Sequence, residues 1–201
     1  MYAPPHFRED RITVLHGAMR LIAFATLVTQ GPDGIEANHL PLLLDAQAGI
    51  LRGHVARANP VWQQWQAAAP ALAIFLGPDA YISPNWYPAK AQTGKAVPTW
   101  NYLTVHARGT ITVMQDGDWL RAHVTAISDT HEAGRPEPWA VTDAPPAYIA
   151  SLLRAIVGIE IAITSLEGKW KLSQNRAADV EGVSQALRQE GQVAMADLMK
   201  P

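Results

Sequence analysis

From Leu103 to Val113, Leu103, Val105, Ala107, Ile111 and Val113 alternate with Thr104, His106, Arg108, Thr110 and Thr112. A two-residue period puts one set on each face of a pleated strand, so this segment predicts a strand. Val157, Ile159, Ile161 and Ile163 repeat the alternation, in a strand that can run on through Lys169. Ahead of both, Ile22 to Thr29, Ile35 to Asp45 and Ile50 to Val55 read as strands separated only by GPDG and AQAG. Turns that short cannot hold a crossover helix, so these neighbours are antiparallel. Ala71 to Leu76 reads as a further short strand, closed by Gly77-Pro78.

Helical segments interrupt the strands. Asp10 caps a short helix in which Ile12, Leu15 and Met19 share a face. Asn59-Pro60 opens another, with Asn as cap, Pro at its first position and Val61, Trp62, Trp65 and Ala69 as its buried stripe up to Pro70. Asp116 to His131 carries Leu120, Val124 and Ile127 inward. Pro145-Pro146 opens a helix with Ile149, Leu152 and Leu153, and Val180 to Gln189 predicts a surface helix with Val183 and Leu187 inward. The expected fold is α+β, an antiparallel sheet closed into a barrel that removes its edges, with peripheral helices. A length of 201 residues suits a single domain spanning 1–201, with an N-terminal helix and a C-terminal helical tail.

Composition excludes several functions. With no cysteine there is no disulfide, thiol catalysis or Cys-ligated metal. The seven histidines lack HxH and HxxxH spacing, so no metal site is expected. A net charge of −2 gives no support to direct DNA binding. No apolar run approaches the ~20 residues needed to cross a bilayer, and MYAPPHFRED is too polar for a secretory signal, so a cytoplasmic location is expected. There is no Gly-rich phosphate loop and no Gly-x-Ser-x-Gly.

Four segments are richer than a structural role requires. In ANHLP, Asn38 and His39 interrupt an apolar strand, and side-chain parity is read as switching from Ile35/Ala37 to Leu40/Leu42/Leu44. That is either a bulge re-aiming side chains at a site or an edge blunted by Pro41. GHVARANP joins a strand end, Arg57 and a helix start, which suits phosphate or is an ordinary cap. AYISPNWYPAK and VPTWNY flank QTGK; their prolines forbid a helix or central strand, and their aromatic rings suit a planar ligand, a partner subunit or a plug over the barrel end. KWKLSQN clusters Trp170, Lys171, Ser173, Gln174 and Asn175 at the last strand's exit.

The sequence HFRED, NHLPLLLD, GHVARANPVW, GPDAYISPNWY, VPTWNY, DAP, IVGIEI and GKWKLSQN resembles, in order and over nearly the whole chain, the PaiB family. These are known as FMN-binding negative transcriptional regulators. The resemblance implies an FMN-binding split barrel, a Greek-key barrel that forms a homodimer with flavin at the subunit interface. It implies that Asn38, His39 and Leu40 line the flavin ring and that His54, Arg57 and Asn59 hold the phosphate. Relatives commonly carry Ser-Arg-Lys there, whereas this chain has Arg57-Ala58-Asn59, one cation fewer. It extends the cofactor-binding set to Ser83, Trp86, Thr99, Asn101, Lys171, Gln174 and Asn175. Pyridoxamine-phosphate oxidases carry Arg-Leu-His where this chain reads Lys171-Leu172-Ser173, which argues against that substrate chemistry. Tyr81, Trp86, Tyr87, Trp100 and Tyr102 would form the wall between subunits. Three functions are compatible: a flavin-dependent or flavin-sensing protein, an FMN-dependent oxidoreductase among them; a regulator without functional flavin; and, ranked last, haem handling. No acid, base or nucleophile is assigned, because a bound flavin carries its own redox chemistry.

Overall fold

Three long strands, Ala69–Ile82 (β6), Thr99–Met114 (β7) and Ile156–Lys171 (β8), form the centre of an antiparallel sheet ordered β3-β2-β6-β7-β8-β5-β4. The other strands are Arg8–Glu9 (β1), Phe24–Gly31 (β2), Gly34–Pro41 (β3), Leu43–Asp45 (β4) and Ile50–Ala56 (β5), with β1 added to β8. The α-helices used below are Ile12–Ile22 (α1), Gly117–Glu132 (α2), Pro146–Arg154 (α3), Val180–Gln189 (α4) and Val193–Leu198 (α5). The computed structural model describes residues 1–32, 34–65, 67–88, 90 and 94–199; GPDG and QTGK therefore lie partly outside the described residues. The protein is an α+β antiparallel split barrel. Among the described residues, no helix is long and apolar enough to cross a membrane.

The chain divides into two compact units. One comprises 23–74 and 107–165, the other 1–22, 75–106 and 166–201. In the first, β3 and β4 stand at opposite ends of the sheet order yet are separated in sequence by Leu42 alone. A chain can join both ends of a sheet that directly only if the sheet curls round, which is the closure that makes the barrel. Gly53 on β5 permits the approach: an added Cβ would stand 2.7 Å from Leu42 Cδ2 and 3.2 Å from Leu40 Cδ1. Leu27, Leu51, Phe75, Val105, Ile111, Ile159 and Ile161 are fully buried, as the alternating pattern requires. In the second unit, α4 and α5 pack Val183, Leu187, Met195 and Ala196 against Ala80, Ile82, Tyr87 and Leu172.

Several expectations are corrected. The parity switch in ANHLP does not occur. Ile35 is 78% exposed and lies with Ala37 and His39 on the outer face, while Leu40, Leu42 and Leu44 are buried. Treating Ile35 as core because it is apolar created the switch; the real alternation is continuous from Glu36 to Leu44. The strand expected to end at Gly77-Pro78 runs on to Ile82. The segment after Asn59 is a six-residue 3₁₀ helix, Pro60–Trp65, and Pro70 lies within β6 rather than ending a helix. In α1 and α3, Ile12 and Leu152 are exposed rather than inward.

Candidate functional site

In the first unit, β3 stands at one end of the strand order, paired with β2. Asn38 pairs with Leu27 on β2, and its side chain meets Asn59. Asn59 Oδ1 accepts from the Val61 backbone N–H at 3.1 Å, and Asn59 Nδ2 donates to Asn38 Oδ1 at 2.9 Å. The cap therefore fixes which way both amides point. Asn38 Nδ2 is left as a buried donor with no acceptor among the described residues. Beside it, His39 Nδ1 lies 3.1 Å from Thr26 Oγ1 on the exposed face, and Leu40 is buried towards Gly53.

His54 and Arg57 are engaged elsewhere in the same unit. His54 Nδ1 lies 3.1 Å from His123 Nε2, and His123 stacks on Trp119 at 5.2 Å between ring centroids. The Trp119 ring in turn covers Gly158, where an added Cβ would meet Cζ3 at 2.2 Å. Burial lowers the His54 pKa; burial first, then the neighbouring His54 and Arg52, push His123 down to about 4. Both rings are thus neutral at pH 7. Arg57 braces the strand ends: Nε donates to the Arg154 carbonyl (2.8 Å), Nη1 to Gln115 Oε1 (2.9 Å) and Nη2 to the Ile156 carbonyl (3.0 Å).

The second unit holds a cavity of about 220 Å³ lined by Phe7, Tyr87, Val97, Pro98, Thr99, Asn101, Lys171, Ser173, Asn175 and Arg176. Lys171 Nζ donates to Thr99 Oγ1 at 2.5 Å and to the Trp100 carbonyl, and sits 5.9 Å from the Phe7 ring centroid. Burial, then the charge of Lys169, lowers its pKa. Asn101 is fully buried; its Nδ2 donates to Ser173 Oγ at 3.0 Å. Arg176 lies over the Tyr87 ring at 4.8 Å. Lys171 and Arg176 line the cavity, Arg176 paired with Asp179 at 3.7 Å, and no carboxylate lines it among the described residues, so Lys171 is the charge left to favour an anionic group.

Of the sequence candidates, Thr99, Asn101, Lys171 and Asn175 come together here, and Asn38 with Asn59 in the first unit. Ser83 instead caps the 3₁₀ helix Pro84–Trp86, accepting from the Asn85 N–H at 3.2 Å. Gln174 bonds the Leu172 N–H and the Trp170 carbonyl at 2.7 and 2.5 Å. Trp86 packs on the α4–α5 cluster, and Tyr87 is buried. The aromatic stretch is therefore divided: Trp86 and Tyr87 serve the unit's own core, while Tyr81 (47% exposed) and Trp100 (54%) meet edge to face at 6.0 Å with much of both rings open. Reading the sequence missed Arg176, His123 and the left-handed Ser173 (φ 64). Arg176 follows KWKLSQN directly, so extending that polar segment by one residue would have found it. His123 had no sequence signal beyond its inward position on α2.

Residues 1–165 match the family described as "Putative FMN-binding domain". The chain is 32% identical over 206 residues to the Bacillus subtilis protease synthase and sporulation protein PAI 2, covering 100% of this chain and 97% of that one. It is 35% identical over 240 residues to an uncharacterized Aspergillus fumigatus protein, covering 95% and 92%. The fold is similar to that of an FAD- and haem-binding protein from Mycobacterium smegmatis, with a TM-score of 0.62 at 17% identity over 82% of this chain and 73% of that one. It is also similar to the flavocytochrome Anf3 of Azotobacter vinelandii, with a TM-score of 0.57 at 10% identity over 80% and 67%. Matched by the family along most of its length and by PAI 2 from end to end, the chain belongs to the PaiB family of FMN-binding split-barrel proteins.

Proposed function

We propose that this protein binds FMN and acts as a flavin-dependent or flavin-sensing regulator. The observation that carries the reading is Asn38: a buried amide donor, oriented by Asn59, with no acceptor of its own, on the strand that ends the sheet. A buried unpaired donor costs roughly 1–3 kcal/mol, so a ligand that supplies an acceptor there is favoured. The rim of an isoalloxazine is a row of carbonyl oxygens and ring nitrogens, which fits that requirement. His39 and Leu40 flank the donor on β3, the strand at the end of the sheet order.

The cavity of the second unit is taken by itself as a place for a small anionic ligand, with Lys171 as counter-charge and Thr99, Asn101 and Asn175 as polar contacts. When bound, the flavin would supply hydride or electron transfer; the chain's residues bind, orient and exclude water. The half-exposed Tyr81 and Trp100, with Leu76 (56% exposed), supply an apolar surface for a second copy of the chain. Regulation acts through the sensed flavin rather than through direct DNA contact, because the chain's net charge is −2.

The test is the absorbance spectrum of the purified protein, with mass spectrometry of what it releases on denaturation. A flavin band, and FMN in the supernatant or taken up from added FMN, is expected. A colourless protein that takes up neither FMN nor FAD would overturn the reading.

A further inference from the structure

In the first unit, α2 and α3 border an open cavity of about 310 Å³ that serves no part of the proposed flavin site. Val124, Trp139, Ile149, Leu152 and Ile156 form its walls, and its polar lining consists of His54 and Ser128. Trp139 and Leu152, at 44% and 46% exposed, leave apolar surface open at its mouth, while Val141, Ile149 and Leu153 are buried. We propose that this cavity is a binding site for a neutral, two-ring-sized apolar molecule bearing one hydroxyl, which His54 Nε2 reads.

Three observations set that chemistry. The first is size: an apolar cavity of ~150 Å³ accepts benzene, and this one is about 310 Å³, enough for two fused rings. The second is charge: no ionised residue lines it, so an ionic ligand would lose its hydration with nothing in return. The third is the histidine pair. His54 Nδ1 is committed to His123 Nε2, which leaves Nε2 as the one ring nitrogen His54 can offer the cavity it lines. Either His54 or His123 can donate in their mutual bond, and His123 Nδ1 stays unpartnered both ways. His54 offers the cavity an N–H in one arrangement and a lone pair in the other. A hydroxyl, which both donates and accepts, satisfies either. Stacking on Trp119 fixes the His123 ring and so the direction of His54.

The experiment is calorimetric titration of the full chain with 2-naphthol, with and without saturating FMN. Saturable one-to-one binding, unaffected by FMN, is expected. Binding should weaken about tenfold in His54→Leu, the loss of one hydrogen bond, and recover most of that in His54→Gln. Ile149→Trp, which fills the cavity, should abolish it while the melting temperature stays near wild type. The charged analogue 2-naphthalenesulfonate should bind at least about tenfold more weakly. Absence of saturable 2-naphthol binding, its displacement by FMN, equal binding of the sulfonate, or unchanged affinity in a folded Ile149→Trp protein would each overturn the proposal.

Discussion

Asn59 Nδ2 donates to Asn38 Oδ1 at 2.9 Å, and this bond makes a helix cap aim the amide proposed to meet the flavin. The cap oxygen and the aiming nitrogen belong to one side chain, so they can be separated by substitution. Asn59→Ala removes both and should cost about 1 kcal/mol of stability along with flavin affinity. Asn59→Asp keeps the acceptor for Val61 N–H but removes the donor, and Asn38 would then turn its own Nδ2 towards the carboxylate. The expected outcome is near-normal melting with flavin affinity lowered roughly tenfold, measured by thermal denaturation and FMN titration on the same samples.

At the second unit's cavity, Ser173 holds a left-handed conformation at φ 64 while bonding Asn101. Ser173→Ala loses the bond and keeps the strained backbone; Ser173→Gly loses the bond and relieves the strain. Chemical denaturation should therefore show Ser173→Gly the more stable of the two by about 1 kcal/mol, although it removes more atoms. Equal stabilities would mean the backbone conformation is not costly.

The buried histidine pair predicts a pH dependence with a definite sign. In the unfolded chain His123 takes up a proton near 6.5, whereas in the fold its pKa is about 4. Between those values the unfolded state binds more protons, so stability falls as pH drops through this window and levels off below about 4. His54, lowered in the same direction by burial, adds to the slope. Arg52, which faces His123 and is paired with Asp45 and Glu160, stays charged throughout and opposes protonation. His123→Phe keeps a ring against Trp119 and should flatten the melting temperature between pH 7 and pH 4.5 relative to wild type.

If Tyr81 and Trp100 are the surface of a homodimer, Trp100→Asp should shift the mass measured by light scattering from two chains to one. Because Trp100 is half-exposed and touches Tyr81 rather than the core, the monomer should keep its helical and strand signature.

The strands were legible because alternation is a local property: Leu103 to Val113 and Val157 to Ile163 state their buried faces outright. The N-cap at Asn59 and the inward pair Val183 and Leu187 were legible for the same reason. What could not be read is what the chain decides non-locally. Ile35 has a core residue's side chain, but only its place on the sheet's end strand shows that it faces outward. Arg57 reads as a phosphate clamp, and nothing local shows that the carbonyls of Arg154 and Ile156, about a hundred residues away, take two of its donors. That Trp86 and Tyr87 pack against α4 and α5 depends on helices about a hundred residues further on.

The central claim is that Asn38 presents an unsatisfied donor to a flavin. The most direct measurement is the dissociation constant for FMN, by quenching of flavin fluorescence, in wild type and Asn38→Leu at matched melting temperatures. The account predicts FMN binding in wild type and a loss of about tenfold in the variant. A wild-type protein that leaves FMN fluorescence unchanged, or a folded Asn38→Leu that binds FMN as tightly as wild type, would contradict it.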